Sequence, residues 1–471
     1  MTIVRMIETS NNESEDNTME EMTQTLSANR AVQYQAVPQG TMILGENQYY
    51  SKNCYETQLN NNVIVVGTSG AGKTRKIVKP NLLQAEGSYI VSDPKGNLAR
   101  EMGPYLESKG YRVLKMNFIH PEKSLKYNPV AYCHTTTDVR KLAHMITYEM
   151  SCSTGGARGS AYDPFWDEAA EMLLIAIIGY IVECDDIPEN EKNMNKLSQL
   201  IRKANRDEKF STARGCSELD RIMDSYRKKM ELVGRESWAM DRFDDYNTAP
   251  DRTHATINIC TLAKLGTFDT LETRQMLNGN DIDFKTIGQE PTAVFVEVSD
   301  TDRSMDVLIN LFYSQIMNEL CTFADEECPN SCLPVPVQFI LDDFATNARI
   351  DNFQNIIANI RSRGISAMIM LQSEAQLKAG YGEDAQTIID NCNTYVYMGG
   401  SSEELAEKIG KRADKPAKRI LNMPLSKSWI FRRGQEPVYC NNFDLEWFER
   451  EKGFEPGRRT KKSVQADIEL V

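Results

Sequence analysis

The chain has 471 residues, with 54 Lys and Arg against 67 Asp and Glu and a formal net charge of −13. That length supports two or three domains with proper cores, and 41% hydrophobic with 26% charged residues is the balance of an ordinary globular protein. An acidic total excludes a protein that coats nucleic acid over its whole surface, but not a basic pore or groove inside an acidic assembly.

Residues 1–35, opening "MTIVRMIETSNNESEDNTMEEM", are polar, acidic and poor in aromatics, which predicts a disordered tail without the apolar run of a signal peptide. "NVIVVG" (Asn62–Gly67) then reads as a buried strand, followed by a glycine-rich loop and a helix running toward Gln84. "SYIVSD" (Ser88–Asp93) is a second strand, "NLAREMGPYLESKG" a helix stopped by Gly110, and "YRVLKMN" (Tyr111–Asn117) a third strand. Short apolar, β-branched runs separated by amphipathic helices predict an α/β fold with a mostly parallel sheet covered on both faces.

The alternation breaks over residues 131–287, where helical patterns dominate. An inserted all-helical domain is expected there, dividing a nucleotide-binding domain into 36–130 and 288–445. The greasiest run, "MLLIAIIGYIV" (Met172–Val182), falls short of the ~20 apolar residues a bilayer span needs, so it reads as a buried core helix and no membrane anchor is expected. Phe165 and Trp166, which open this helix, read as core anchors. "IRKANRDEK" and "YRKKMELVGR" read as solvated helix faces.

The α/β rhythm returns with "TAVFVEVSD" (Thr292–Asp300), a helix from Asp306 to Leu320 and the strand "VQFILDD". A helix carrying Phe353, Ile356, Ile357 and Ile360 on one stripe follows, then the strands "SAMIMLQS" and "TYVYMGG". "KSWIFRRGQEPVYC" suggests a hairpin, and residues 446–471, with "GRRTKKS", a mobile basic tail. The eleven cysteines show no repeated spacing; the close pair in "CPNSC" reads as a turn with reduced thiols rather than a metal site, which fits a cytosolic compartment.

Gly67-Thr68-Ser69-Gly70-Ala71-Gly72-Lys73-Thr74 matches the phosphate-loop pattern G-x-x-x-x-G-K-[ST], between a buried strand and a helix. Small residues let successive backbone N–H groups wrap a phosphate chain, Lys73 reaches the β- and γ-phosphates, and the Thr74 hydroxyl binds Mg²⁺. The pattern predicts a site for a nucleoside triphosphate, ATP with Mg²⁺. Asp342 ends a hydrophobic strand, where a carboxylate completes the Mg²⁺ site, and Asp343 would orient or deprotonate the attacking water. Gln372 ends the next strand and reads either as a γ-phosphate sensor or as a polar strand end. Arg361 and Arg363 precede Gly364 at a helix end, where capping and the helix dipole favour basic residues without any catalytic role; an arginine finger is the other reading for Arg361. In "SDPKGN", Asp93 as N-cap and Pro94 at the first helical position have a sufficient structural reason, while Lys95 lies at a carboxyl strand end and approaches the nucleotide.

Taken in order, "VVGTSGAGKT", "SDPKGNL", "NPV" (Asn128–Val130), "FILDDFA", "NIRSRGI" and "LQSEAQL" resemble the coupling proteins of type IV secretion systems, the motor ATPases of bacterial conjugation. The resemblance runs over roughly residues 40 to 445 and implies a homohexameric ring of RecA-like domains, each with an all-helical insertion. It implies ATP hydrolysis coupled to moving DNA, with its attached relaxase, into a secretion channel at the inner membrane. By position it gives Lys73 and Thr74 the phosphate and Mg²⁺ roles, Asp342 the second Mg²⁺ ligand, Asp343 the catalytic acid, Gln372 the γ-phosphate sensor and Arg361 the finger reaching a neighbour's nucleotide. Two departures stand out. Asn97 and Asp343 occupy positions where glutamate is usual, which implies slow hydrolysis. The family's usual transmembrane helices are also missing, which implies a cytoplasmic chain held at the membrane through another protein, or a soluble variant of the motor. The competing expectations are a cytosolic motor of similar fold acting on another substrate, and a nucleotide-gated adaptor that docks substrate and barely hydrolyses ATP.

Overall fold

The computed structural model describes residues 35–153, 164–205, 216–344 and 349–454. The expected acidic tail over 1–34 and the basic residues of 455–471 lie outside them.

Two strands, β1 (Thr41–Gly45) and β2 (Gln48–Ser51), form an antiparallel hairpin. The others, β3 (Val63–Val66), β4 (Ser88–Ser92), β5 (Arg112–Asn117), β6 (Thr292–Glu297), β7 (Val337–Leu341), β8 (Ile365–Leu371), β9 (Thr394–Tyr397), β10 (Lys427–Arg432) and β11 (Val438–Asn441), build one nine-stranded sheet in the order β11-β10-β9-β3-β8-β7-β4-β6-β5. Strands from β9 to β5 run parallel, and the antiparallel β10–β11 hairpin closes one edge. Parallel strands buried on both faces favour apolar residues along their length, which is why β3 reads VIVV and β7, apart from Gln338 near its amino end, reads VQFIL.

Successive residues point to opposite faces. Val63 and Val65 join a core with the β1–β2 hairpin and the helices Lys79–Leu83 and Asn97–Ser108. Ile64 and Val66 face the other core, with the long helix Asp306–Glu327 and the helices between β5 and β6. Among the described residues, every regular element between β5 and β6 is helical. The core of these helices, including Leu173, Ile177 and Ile181 of Phe165–Glu183, runs without a break into Tyr127, Phe284 and Phe312 against the sheet. Tyr132 and Phe284 stack across that seam at 4.2 Å.

Two local expectations need correction, and one element was not expected. The β1–β2 hairpin had no counterpart in the sequence reading; Asn81 holds it, donating from Nδ2 to the Ile43 carbonyl at 2.8 Å and accepting from the Ile43 N–H at 3.0 Å. The basic tail begins later than residue 446, because the helix Leu445–Glu451 is capped by the Asp444 carboxylate and buries Leu445, Phe448 and the following Phe454. Phe165 is no core anchor: it is 48% exposed, and Trp166 alone packs against the core. Among the described residues, no helix is long and apolar enough to cross a membrane.

Candidate nucleotide-binding site

The loop Gly67–Thr74 leaves the carboxyl end of β3 and is fastened to both neighbouring strands. The Gly67 N–H donates to the Leu371 carbonyl at the end of β8 at 3.1 Å, and the Thr68 N–H to the Gly399 carbonyl beyond β9 at 3.3 Å. Gly70 and Gly72 have φ of +82° and +87°, the left-handed region in which only glycine is free of strain. The buried Lys73 turns its ammonium back across the loop to the Gly67 carbonyl at 2.8 Å. The following helix opens with a wide π-type turn, Thr74–Val78, in which the Lys79 N–H reaches the Thr74 carbonyl. That turn accommodates Pro80, which has no N–H to give the Lys76 carbonyl.

Strand β8 separates β3 from β7, so Asp342 at the end of β7 stands one strand away and faces the loop. The Thr74 hydroxyl donates to Asp342 Oδ2 at 2.6 Å, the Asp343 N–H to Asp342 Oδ1 at 3.1 Å, and the Ser92 hydroxyl to the Asp342 carbonyl at 3.3 Å. Burial raises the Asp342 carboxyl above its ordinary range and the neighbouring Asp343 adds to this, against the Thr74 hydrogen bond and the Lys73 charge. A hydroxyl and a buried carboxylate in contact are the oxygen donors a hard divalent cation takes, beside a loop shaped for phosphate. The residues present therefore fit Mg²⁺ and a nucleotide triphosphate.

Asp343 itself is in the left-handed region, φ +49°, which aspartate tolerates better than most side chains. Its neighbour fixes it there: the Phe344 N–H donates to the Met370 carbonyl at 3.0 Å, and the buried Phe344 ring stacks on Tyr381 at 5.4 Å. The Gln372 amide donates to Asp343 Oδ1 at 3.3 Å. The fold thus brings together the whole loop, Asp342, Asp343 and Gln372 at the carboxyl ends of three adjacent strands.

Two predicted residues stand apart. Lys95 follows β4 at the same end of the sheet, with its side chain exposed. Asp93 and Gly96 close a turn around Pro94, the Gly96 N–H donating to the Asp93 carbonyl at 3.1 Å, so Pro94 belongs to that turn and the helix begins at Asn97. Asp93 still caps the helix, accepting from the Ala99 N–H at 2.8 Å. Arg361 precedes β8 rather than following it. With about 3.3 Å per strand residue, the length of Ile365–Leu371 puts it on the order of 20 Å from the loop. Its guanidinium donates to the Cys54 carbonyl at 2.9 Å, while Arg363 forks onto Asp325 at 2.6–3.0 Å. Sequence reasoning missed Ser92, which buttresses Asp342, and Gly399; the signal for the latter was the glycine pair ending "TYVYMGG", beside the phosphate-loop strand.

The raised Asp342 carboxyl gives a test. A carboxyl that holds its proton more tightly folded than unfolded costs the protein stability as pH rises through the folded value. Asp342→Asn is therefore expected to melt at or above the wild-type temperature at pH 7 without nucleotide, while losing Mg²⁺-dependent nucleotide binding. Thermal melts with and without Mg²⁺ and ATP check this, and in wild type that binding should weaken as pH is lowered and Asp342 takes up its proton.

A glycine loop between strand and helix, with an acidic strand end beyond one intervening strand, defines a RecA-like P-loop NTPase fold. The chain belongs to the family described as "Type IV secretory system Conjugative DNA transfer", whose model matches residues 7–415. It is 23% identical over 362 residues to Protein VirD4 of Rhizobium rhizogenes, covering 74% of this chain and 48% of that protein. It is 21% identical over 367 residues to Conjugal transfer protein TraG of Escherichia coli, covering 74% and 54% respectively. The chain spans about half the length of the curated relatives it matches. Among solved structures, the bacterial conjugative coupling protein TrwBdeltaN70 with sulphate superposes with a TM-score of 0.57 at 14% identity, over 87% of this chain and 95% of that one. TrwB in complex with ADP and Mg²⁺ gives 0.55 at 15%, over 81% and 85%.

Proposed function

We propose that this chain binds ATP with Mg²⁺ and hydrolyses it to drive DNA, with a bound relaxase, into a type IV secretion channel. The observation that carries the reading is the contact of Thr74 with Asp342 at 2.6 Å beside Lys73, a phosphate and cation site assembled from segments 268 residues apart. The nucleotide complexes of TrwB support the same ligands here. Lys73 pairs with the β- and γ-phosphates, Thr74 and Asp342 hold the cation, Asp343 orients a water and accepts its proton, and Gln372 registers the terminal phosphate. Bound Mg²⁺ supplies positive charge against the phosphate oxygens. Lys95, exposed at the same sheet end, gives a further cation to the phosphates. In a homohexameric ring Arg361 acts on a neighbour's nucleotide, since it is remote from its own. The chain works on the cytoplasmic side and is held at the inner membrane by partners. ATP turnover with and without DNA tests the reading.

A second reading, a nucleotide-gated adaptor with little hydrolysis, is favoured by Asp343. Its shorter side chain is already engaged by Gln372 at 3.3 Å, which leaves it less free to serve a water.

The helices of 131–287 are the proposed relaxase-docking module. Deleting them would strip a core shared with the sheet, so the sharper test is at their surface. Leu232 and Val233, 87% and 55% exposed at the end of the helix Glu218–Val233, offer one apolar tip. The double change Leu232→Asp, Val233→Asp is expected to leave ATP turnover intact and to weaken capture of the cognate relaxase at least fivefold in a pull-down; unchanged capture would remove this tip from the docking surface.

A further inference from the structure

At the amino ends of β7 and β8, on the far side of the sheet from the phosphate loop, a pocket of about 580 Å³ is lined by Lys52, Cys54, Asn61, Val337, Gln338 and Arg361 among others. That volume lies within the ordinary range for small-molecule sites. Its polar groups are incompletely used. Gln338 is 8% exposed, yet no hydrogen bond reaches its Oε1. Asn61 donates from Nδ2 to the Lys52 carbonyl at 2.6 Å and leaves its buried Oδ1 without a partner. Buried carboxamides are nearly always paired, so two half-used ones on one pocket wall mark a missing partner.

The pocket is also electropositive. Lys52 is balanced by Glu86 at 3.1 Å, whereas Arg361 meets the carbonyl and thiol of Cys54 and, among the described residues, no carboxylate. The charge of a second guanidinium, Arg432, also bears on the Cys54 thiol. Arg432 is 7% exposed and lies over the Tyr50 ring at 4.9 Å. Its Nε and one terminal nitrogen have no hydrogen-bond partner, and among the described residues no carboxylate pairs with it. Arg432 does not itself line the pocket, so of the two guanidiniums Arg361 is the one that an anion there meets.

We propose that this pocket takes a purine nucleotide, its base edge on the Gln338 carboxamide against Val337 and its phosphate on Arg361. A planar carboxamide pairs with the donor and acceptor on an adenine edge, and a guanidinium fork suits phosphate oxygens. The nucleotide comes from one of two sources: free solution, or the phosphate loop of an adjacent copy. The second source rests on the ring and the Arg361 role proposed above.

The test uses the full chain and a fluorescent ATP analogue. Lys73→Ala disables the phosphate loop. If the source is free nucleotide, this variant retains binding, and adding Gln338→Leu weakens it at least tenfold. If the source is a neighbour's loop, Lys73→Ala alone removes binding, while Gln338→Leu in the otherwise native chain raises KM for ATP at least fivefold and leaves KM for GTP unchanged. Gln338→Leu removes an amide that lacks a partner, so its melting temperature should hold or rise. Gln338→Glu, which replaces the carboxamide N–H at the base edge with a carboxylate oxygen that cannot donate, should reproduce the loss. If both Gln338 variants leave binding and ATP-over-GTP preference as in wild type, the proposal is overturned even where Lys73→Ala abolishes turnover. Binding that survives Lys73→Ala and is lost with Gln338→Leu would uphold this pocket whatever the phosphate loop does.

Discussion

Lys73→Ala is expected to bring ATP turnover down to background with the fold intact. The ammonium is the cation inside the glycine loop, and preorganised charge at a reacting phosphate is worth far more than a surface contact. Removing one such donor costs on the order of 10²–10³ in rate in other enzymes, and the phosphate-loop lysine contributes to binding as well. Structurally the residue gives up little, because its hydrogen bond joins it to Gly67 in the same loop. A melting temperature close to wild type should therefore accompany the loss of phosphate release. Turnover near the wild-type rate would show that Gly67–Thr74 does not hold the reacting phosphates.

Arg361→Ala is expected to bind ATP almost normally and to hydrolyse it about 10³ to 10⁵ times more slowly, the range for arginine fingers in other phosphoryl-transfer systems. The position of Arg361 ahead of β8 makes this a prediction about assembly. Its guanidinium cannot reach its own loop, so any rate effect must pass between copies. Mixing Arg361→Ala with Lys73→Ala should then restore part of the activity, because some interfaces pair an intact loop with an intact arginine. The competing account is that Arg361 only ties its helix end to the Cys54 carbonyl at 2.9 Å. Losing that bond costs about 0.5–1.5 kcal/mol of stability and no comparable rate. Under it, Arg361→Ala stays active and mixing adds nothing. The experiment needs protein concentrated enough to associate, which a mass measurement on the same sample establishes.

The parallel strands were legible because burial on both faces demands continuous apolar runs, and the loop because its glycines and lysine recur at fixed spacing. Asp342 and Gln372 followed from the rule that residues closing parallel strands share one edge of the sheet. The same rule, applied to Arg361, already places it at the opposite edge, since it comes before its strand. The conformation of Asp343 was not legible: its left-handed backbone depends on Phe344 packing against Tyr381, a contact between distant segments. The β1–β2 hairpin was missed for a similar reason. Its anchor is Asn81, whose side chain pairs with Ile43 across 38 residues and looks in sequence like one polar residue on a helix. At the carboxyl end, the basic "GRRTKK" cluster lies beyond Leu445 and Phe448, whose helical spacing predicts the packed face that they form. The helices between β5 and β6 were legible as helices, whereas their shared core with the sheet depends on the stacking of Tyr132 on Phe284, 152 residues on.

The central claim is that the Lys73, Thr74 and Asp342 site turns over ATP in the service of DNA movement. Steady-state phosphate release from the wild-type chain, measured with Mg²⁺ in the absence of DNA and then with single- and double-stranded DNA, tests it most directly. The account predicts slow turnover without DNA, given aspartate at position 343, and at least a severalfold rise with one of the two DNA forms, both abolished by Lys73→Ala. An absence of Mg²⁺-dependent turnover under all three conditions, from protein shown to bind ATP and to associate, would contradict it and leave the nucleotide-gated adaptor.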